Sequence, residues 1–139
     1  MKLSVLITTF NSEEWLKKVL VGYSLQTAQD FEVVIADDGS TDKTKQVIAS
    51  FQGKFKFPIV HVWQEDNGFQ KCKILNKAIL KTNADYLLFT DGDCIPRKDF
   101  ISQHLKYKEK GYFLSGGYYK LPMETSTKIR VEDIQNENC

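Results

Sequence analysis

The stretch Tyr86-Leu87-Leu88-Phe89-Thr90-Asp91-Gly92-Asp93 decides the reading of this chain: an apolar run of strand length empties into two carboxylates one residue apart. The run reads as a buried strand of a parallel α/β sheet, and in such sheets ligands collect at the carboxyl ends of the strands. Side chains two apart on an extended backbone point the same way, so both carboxylates can face one cation. A hard divalent ion such as Mg²⁺ or Mn²⁺ takes oxygen ligands and keeps positions free for substrate phosphates, which suits a short acidic motif better than a cage made wholly of protein. The glycine between them lets the backbone approach a ligand closely. Asp-Gly is also a hairpin-turn signal, and acidic residues after a strand also solvate loops or cap helices. A second acidic cluster favours the ligand reading. The run Phe31-Glu32-Val33-Val34-Ile35-Ala36 ends in Asp37 and Asp38, followed by Gly39-Ser40-Thr41-Asp42, and two parallel strands ending in this way define a shared rim.

Outward from these two strands, strand and helix alternate with short connections, the pattern of an α/β fold with a mostly parallel, doubly wound sheet flanked by helices. A first strand spans Lys2 to Thr9. A helix follows from Glu13 to Leu25, with Trp15, Leu16, Val19, Leu20 and Tyr23 at helical spacing and Asn11 or Ser12 as its cap. Glu13 and Glu14 fall in its first turn, where the helix dipole favours acids. Ser40-Thr41-Asp42 opens a second helix whose inward stripe is Thr44, Val47, Ile48 and Phe51, stopped by Gly53. Ile59 to Trp63 is a third strand, ending in the polar loop Gln64-Glu65-Asp66-Asn67-Gly68. Lys71 to Lys81 is a helix with Ile74, Leu75, Ala78 and Ile79 on one face, and Asn83-Ala84-Asp85 turns into the strand that carries Asp91. After Pro96, Lys98 to Lys110 reads as a helix and Tyr112 to Leu121 as a further strand, with Gly116-Gly117 marking a bulge or a close approach. From Pro122 the chain turns polar, so residues 1–121 read as one domain and residues 122–139 as a poorly ordered tail.

Composition narrows the partners. A chain of 139 residues with 42% apolar and 27% charged residues supports one ordinary soluble domain, and a net charge of +1 with dispersed basic residues gives no electrostatic case for nucleic acid. Leu3 to Ile7 is too short for a membrane span, and no other run approaches that length, so membrane contact is peripheral at most. Cys72, Cys94 and Cys139 are odd in number and lack paired metal-ligand spacing, which favours reduced thiols in a cytoplasmic protein. Cys94 touches the acidic motif in sequence only and reads as a small buried residue, since a nucleophile needs a basic neighbour that the local sequence does not supply. His61 and His104 read as core-edge or surface residues. Trp15 and Trp63 read as core, with Trp63 near enough to a strand end to sit by a ligand.

Three strand ends converge: Thr8-Thr9-Phe10-Asn11, Asp37-Asp38-Gly39-Ser40 and Thr90-Asp91-Gly92-Asp93. The ordered fragments T-T-F-N, D-D-G-S-T-D, N-G, L-N-K-A-I and T-D-G-D-C-I-P resemble the nucleotide-binding half of glycosyltransferase family 2, inverting enzymes of the GT-A fold, over roughly residues 2 to 121. That resemblance implies that Thr8, Phe10 and Asn11 belong to the nucleotide-sugar site, with Thr8 and Phe10 lining base and ribose. It implies that Asp38 accepts a hydrogen bond from the base, that Asp91 holds ribose or sugar, and that Asp93, with Asp91, ligates Mn²⁺ or Mg²⁺ bridging two phosphates. A carboxylate only accepts, so it favours uracil or guanine over cytosine, and a UDP-sugar is the donor implied. Lys71 and Lys73 follow the glycine loop; they either reach the diphosphate from the start of their helix or are solvated helix lysines, and their position favours the second.

The resemblance further implies transfer with inversion to a saccharide or lipid-linked acceptor in polysaccharide or lipopolysaccharide assembly. Inversion requires a general-base carboxylate on the face opposite the leaving diphosphate. Glu132 and Asp133 are the late acidic candidates and come with too little chain for an acceptor pocket, so the chain reads as a donor half without its base, its open sheet edge inviting self-association. The competing class is a non-catalytic phosphoryl-receiver module, which normally places its acidic pair after the first strand, where Thr8-Thr9 stands here. No G-x-G-x-x-G or G-x-x-x-x-G-K-[ST] is present to support a dinucleotide or P-loop reading.

Overall fold

The computed structural model describes residues 2–115 and residue 134. Its centre is a pair of strands, β1 (Leu3–Thr9) and β2 (Phe31–Asp37), whose side chains are buried on both faces almost throughout. Such continuous apolar strands are what a parallel sheet needs when helices cover both its faces. Two more strands, β3 (Ile59–Trp63) and β4 (Leu87–Asp91), flank them in the order β3-β2-β1-β4, all parallel.

Residue parity along β1 and β2 decides which helix lies where. Leu3, Val5, Ile7, Phe31, Val33 and Ile35 join a core with Leu16, Val19, Leu20 and Tyr23 of helix α1 (Glu13–Ser24), Ile48 of α2 (Asp42–Phe51) and Ile101 of α4 (Phe100–Tyr107). Leu6, Val34 and Ala36 point the other way and pack on Ile74 and Ala78 of α3 (Lys71–Ile79). The sheet is therefore doubly wound. Strand order reverses at β1, so the crevice between the ends of β1 and β4 is the topological switch point at which open α/β sheets bind ligands.

Several expectations shift in the structure. The run from Tyr86 is not a fully buried strand: β4 is an edge strand of the described sheet, only Leu88 in it is buried, and Phe89 is 53% exposed. The reason is that α3 packs chiefly over β1, β2 and β3; on this face of β4 the half-buried Leu87 joins its cluster and Phe89 is left open. Trp15 lies half-buried outside the 16-19-20-23 stripe, with the Lys18 ammonium 4.6 Å above its ring. Ser12 occupies the cap position of α1, but its hydroxyl turns back to the Phe10 carbonyl, and neither Ser12 nor Asn11 caps the helix through a side chain. Helix α4 begins two residues later than expected because the Arg97 and Lys98 carbonyls accept from Gln26 Nε2 (2.6 Å) and the Thr27 amide (2.9 Å). The buried Gln26 also accepts from the Ile101 amide, fastening the end of α1 to the start of α4. Tyr112 to residue 115 form no strand. The remainder of that expected strand, Gly116-Gly117, the boundary at residue 121, and Glu132 and Asp133 lie outside the described residues; within the expected tail Ile134 is described, and it is buried against Val21.

At the amino ends of the strands a buried acid holds the sheet together. Glu32 accepts from the Ser4 hydroxyl (2.6 Å), the Asn83 amide (2.6 Å) and the Asn83 side chain (3.0 Å), which clamps β1, β2 and the turn before β4. Burial alone pushes its carboxyl up, but the hydrogen bonds from Ser4 and Asn83 outweigh it and hold the group below the usual carboxylate range. The stabilisation is thus present at neutral pH and is lost as pH falls through the depressed folded-state value. Glu32→Ala, which strands these donors, is expected to cost about 2–3 kcal/mol in urea denaturation at pH 7. The deficit should shrink as the pH is taken below about 4; a deficit that is independent of pH would remove the ionised form from the account.

Candidate functional site

The parallel register brings the strand ends level: Thr8 is opposite Asp91, Thr9 opposite Asp37, and Asp37 opposite Trp63. Consecutive residues of a strand point to opposite faces, so the two acids that end β2 are treated differently. Asp37 is fully buried; Oδ1 accepts from the Ser40 amide at 2.9 Å and Oδ2 lies 2.8 Å from His61 Nε2 on β3. Asp38, 8% exposed, accepts from Gln64 Nε2 at 2.7 Å through one oxygen and from the Gln70 amide at 2.8 Å through the other. Each carboxylate fixes a loop: Asp37 the turn into α2, Asp38 the loop from Gln64 to Gln70. The turn between them depends on Gly39, whose φ is +93° and whose Cβ, if it had one, would stand 2.5 Å from Asp66 Cα.

The loop after β1 is tied to the same turn. The Asn11 amide donates to Ser40 Oγ (2.8 Å), and Asn11 Oδ1 accepts from the Thr41 amide (2.9 Å). These bonds hold Asn11 at a φ of +45° and leave Phe10 half-exposed at the rim. Trp63 is not core; it is 52% exposed and its indole N–H donates to the Ser40 carbonyl, so its ring forms part of the rim beside β2.

At the switch point, Asp91 Oδ1 accepts from Thr8 Oγ1 at 2.8 Å and from Lys71 Nζ at 3.0 Å. The Lys71 ammonium, and after it the Thr8 hydroxyl, hold the Asp91 carboxyl below the usual carboxylate range. Lys71 is therefore not a freely solvated helix lysine. Lys73 stands about 200° further round the helix and lines a cavity of about 180 Å³ with Gln64, Glu65, Asn67, Gln70 and Lys77. The structure does not bring it to the acidic pair. Gly92 serves β1 rather than a ligand: its amide donates to the Thr8 carbonyl at 2.8 Å, and a Cβ would stand 2.9 Å from that oxygen.

Asp91, Asp93 and Cys94 present ligand atoms that all lie within 4.8 Å of one another. Two exposed carboxylates open to solvent fit Mn²⁺ or Mg²⁺, which take oxygen and retain positions for phosphate. Cys94 meets the motif in space as well as in sequence, with Sγ 3.6 Å from Asp93 Oδ1. Burial and then the Asp93 charge push its thiol up, the reverse of what a nucleophile needs. The partners that sequence reasoning missed are His61, Gln64 and Gln70. Two adjacent acids at the end of a strand covered on both faces signal that donors must be found for them; nothing in the sequence names those donors.

The sequence profile of glycosyl transferase family 2 matches residues 4–138. The uncharacterized glycosyltransferase YfnE of Bacillus subtilis (strain 168) is 34% identical over 110 residues, 78% of this chain and 27% of that protein. TarS, the poly(ribitol-phosphate) β-N-acetylglucosaminyltransferase of Staphylococcus aureus, is 30% identical over 93% of this chain and 24% of its own length. The crystal structure of TarS 1–349 in complex with UDP superposes with a TM-score of 0.70 and 30% identity, covering 76% of this chain and 31% of that one. The fold is shared with the mannosyltransferase of Pyrobaculum calidifontis in complex with GDP-Man and Mn²⁺, at a TM-score of 0.65 and 24% identity over 76% of this chain and 32% of that one. The chain spans about a quarter of the length of the curated relatives it matches.

The two acidic positions are expected to separate cleanly in stability measurements. Asp38→Asn replaces an acceptor with a donor facing either Gln64 or Gln70 and should cost about 1–3 kcal/mol in urea denaturation. Asp93→Asn, on an exposed side chain, should remain within about 0.5 kcal/mol of the parent. Equal effects would mean that the Asp38 bonds do not support the fold.

Proposed function

The chain belongs to glycosyl transferase family 2, and on that premise we propose that it forms the donor site of an enzyme that transfers a sugar from a nucleoside diphosphate to an acceptor hydroxyl. One observation carries the reading: parallel register sets the ends of β1, β2 and β4 level, Thr8 beside Asp91 and Thr9 beside Asp37, so that Asp38 and Asp93 follow on the same rim, with Lys71 reaching the same carboxylate as Thr8. The uracil or guanine N–H meets Asp38, whose oxygens each retain a lone pair beyond the bond already made. UDP is the favoured nucleotide, supported by the likeness to TarS, which has been crystallised with UDP and with UDP-GlcNAc. Phe10 and Thr8 line the base and ribose, and Asn11 holds their loop against Ser40 and Thr41.

Asp91 and Asp93 would hold Mn²⁺ or Mg²⁺. Bound there, the ion would supply neutralisation of the charge that develops on the departing diphosphate. Thr8 and Lys71 keep Asp91 ionised and fixed in orientation. Lys71 already reaches Asp91 while Lys73 lines a separate cavity, and we assign Lys71, ahead of Lys73, to the diphosphate. The transfer proceeds with inversion to a saccharide or lipid-linked acceptor in assembly of a cell-surface polysaccharide at the cytoplasmic side; no helix among the described residues is long and apolar enough to cross a membrane. The phosphoryl-receiver reading has no support in the geometry, because the rim's acids end β2 and β4 while β1 ends in threonines.

Calorimetric titration of UDP tests the reading. Binding is expected with Mn²⁺ and is expected to weaken by roughly tenfold or more with chelator or in Asp93→Ala. No UDP binding under any condition would overturn it.

A further inference from the structure

Lys71 is the first residue of α3, and the residue before it, Gln70, has its amide held by Asp38. Its ammonium, 3.0 Å from Asp91 Oδ1, shares that oxygen with Thr8. A pinned main chain and a flexible four-carbon stem allow the charge to swing without leaving the site. Lys73 and Lys77 face the separate cavity with Glu65, so among the described residues Lys71 is the lysine paired with the acidic motif. A divalent ion held between Asp91 and Asp93 shares a carboxylate with a cation already in place, and the two repel.

Resting on the donor-site reading above, we propose that Lys71 is a resident counter-ion of Asp91 that opposes divalent-metal binding until a nucleoside diphosphate draws the ammonium onto its phosphates. Metal and nucleotide then bind interdependently, and part of their coupling belongs to this one side chain. By linkage the effect is reciprocal: whatever Lys71 adds to the tightening of metal by nucleotide, it adds equally to the tightening of nucleotide by metal. The same lysine also connects the two halves of the site, because one peptide separates the amide held by the base-reading Asp38 from the ammonium on Asp91.

The test is Mn²⁺ binding followed through the electron paramagnetic resonance signal of the free ion, first without nucleotide and then with saturating UDP. Lys71→Met is expected to bind Mn²⁺ alone about three- to thirtyfold more tightly than the parent, an exposed charge pair being partly screened. UDP should tighten Mn²⁺ less in Lys71→Met than in the parent. Lys71→Arg, which keeps the charge, and Lys77→Met, which removes a charge elsewhere on the helix, should match the parent without nucleotide. Asp93→Ala should abolish Mn²⁺ binding in either background. If Asp93→Ala does so while Lys71→Met leaves nucleotide-free Mn²⁺ affinity unchanged or weaker, the counter-ion inference is overturned and the donor-site reading stands. Mn²⁺ binding indifferent to Asp93 would overturn both. Thermal melts of each variant exclude loss of fold as the cause.

Discussion

Two carboxylates at the end of one strand have been taken out of water, and the donors that make this tolerable shape the rim. A buried charge without partners is too costly to keep. Asp37 recruits the Ser40 amide and His61, and Asp38 recruits Gln64 and the Gln70 amide. Those four donors come from the turn into α2, from β3, and from both ends of the loop that follows β3. Satisfying the charges and arranging the loops are therefore one event. Trp63 and Asn11 join the same arrangement through Ser40 and Thr41, so the wall beside Asp38 has little freedom to re-form around a different ligand.

The other side of the crevice is built on a contrary plan. Asp91 and Asp93 stay exposed, and the bonds to Asp91 come from a hydroxyl and an ammonium on side chains that can let go. A rigid wall beside a loosely held acidic pair is the arrangement the proposed donor site calls for, where one ligand component is selected by shape and the other enters and leaves. The link between the two sides is short, running from the Gln70 amide to the Lys71 side chain.

How far the sequence revealed this depends on the kind of force involved. β1, β2 and β3 are legible to within a residue because unbroken apolar runs end at polar turns, and the four-strand α/β order follows from alternation with helices. β4 reads as buried because its apolar content is the same whether or not a helix covers it, and how far α3 covers it is a tertiary fact. α4 starts later than its pattern suggests because Gln26 and Thr27, far away in sequence, claim the Arg97 and Lys98 carbonyls that precede it. The acidic residues of the site stand out as pairs after strands. Their partners do not, since Gln64 and the Gln70 amide act across more than twenty-five positions. Lys71 and Lys73 look equivalent in sequence; only the rotation between them on a formed helix sets them apart.

Strand β2 carries Glu32 at one end and Asp37 with Asp38 beyond the other, and both ends are read by the same pairing with β1. A slip of one residue turns every side chain to the wrong face. It would exchange Val33 and Ile35 with Val34 and Ala36 between the two cores, orphan Ser4 and Asn83, and face Asp38 away from Gln64 in the same stroke. The register of this one strand thus serves as a single check on the chain: one that pairs wrongly loses the buried-acid bonds at both ends and the order of the rim together. Cellular quality control would meet such a chain as an unfolded protein, so a well-folded chain with a disordered rim would not accumulate.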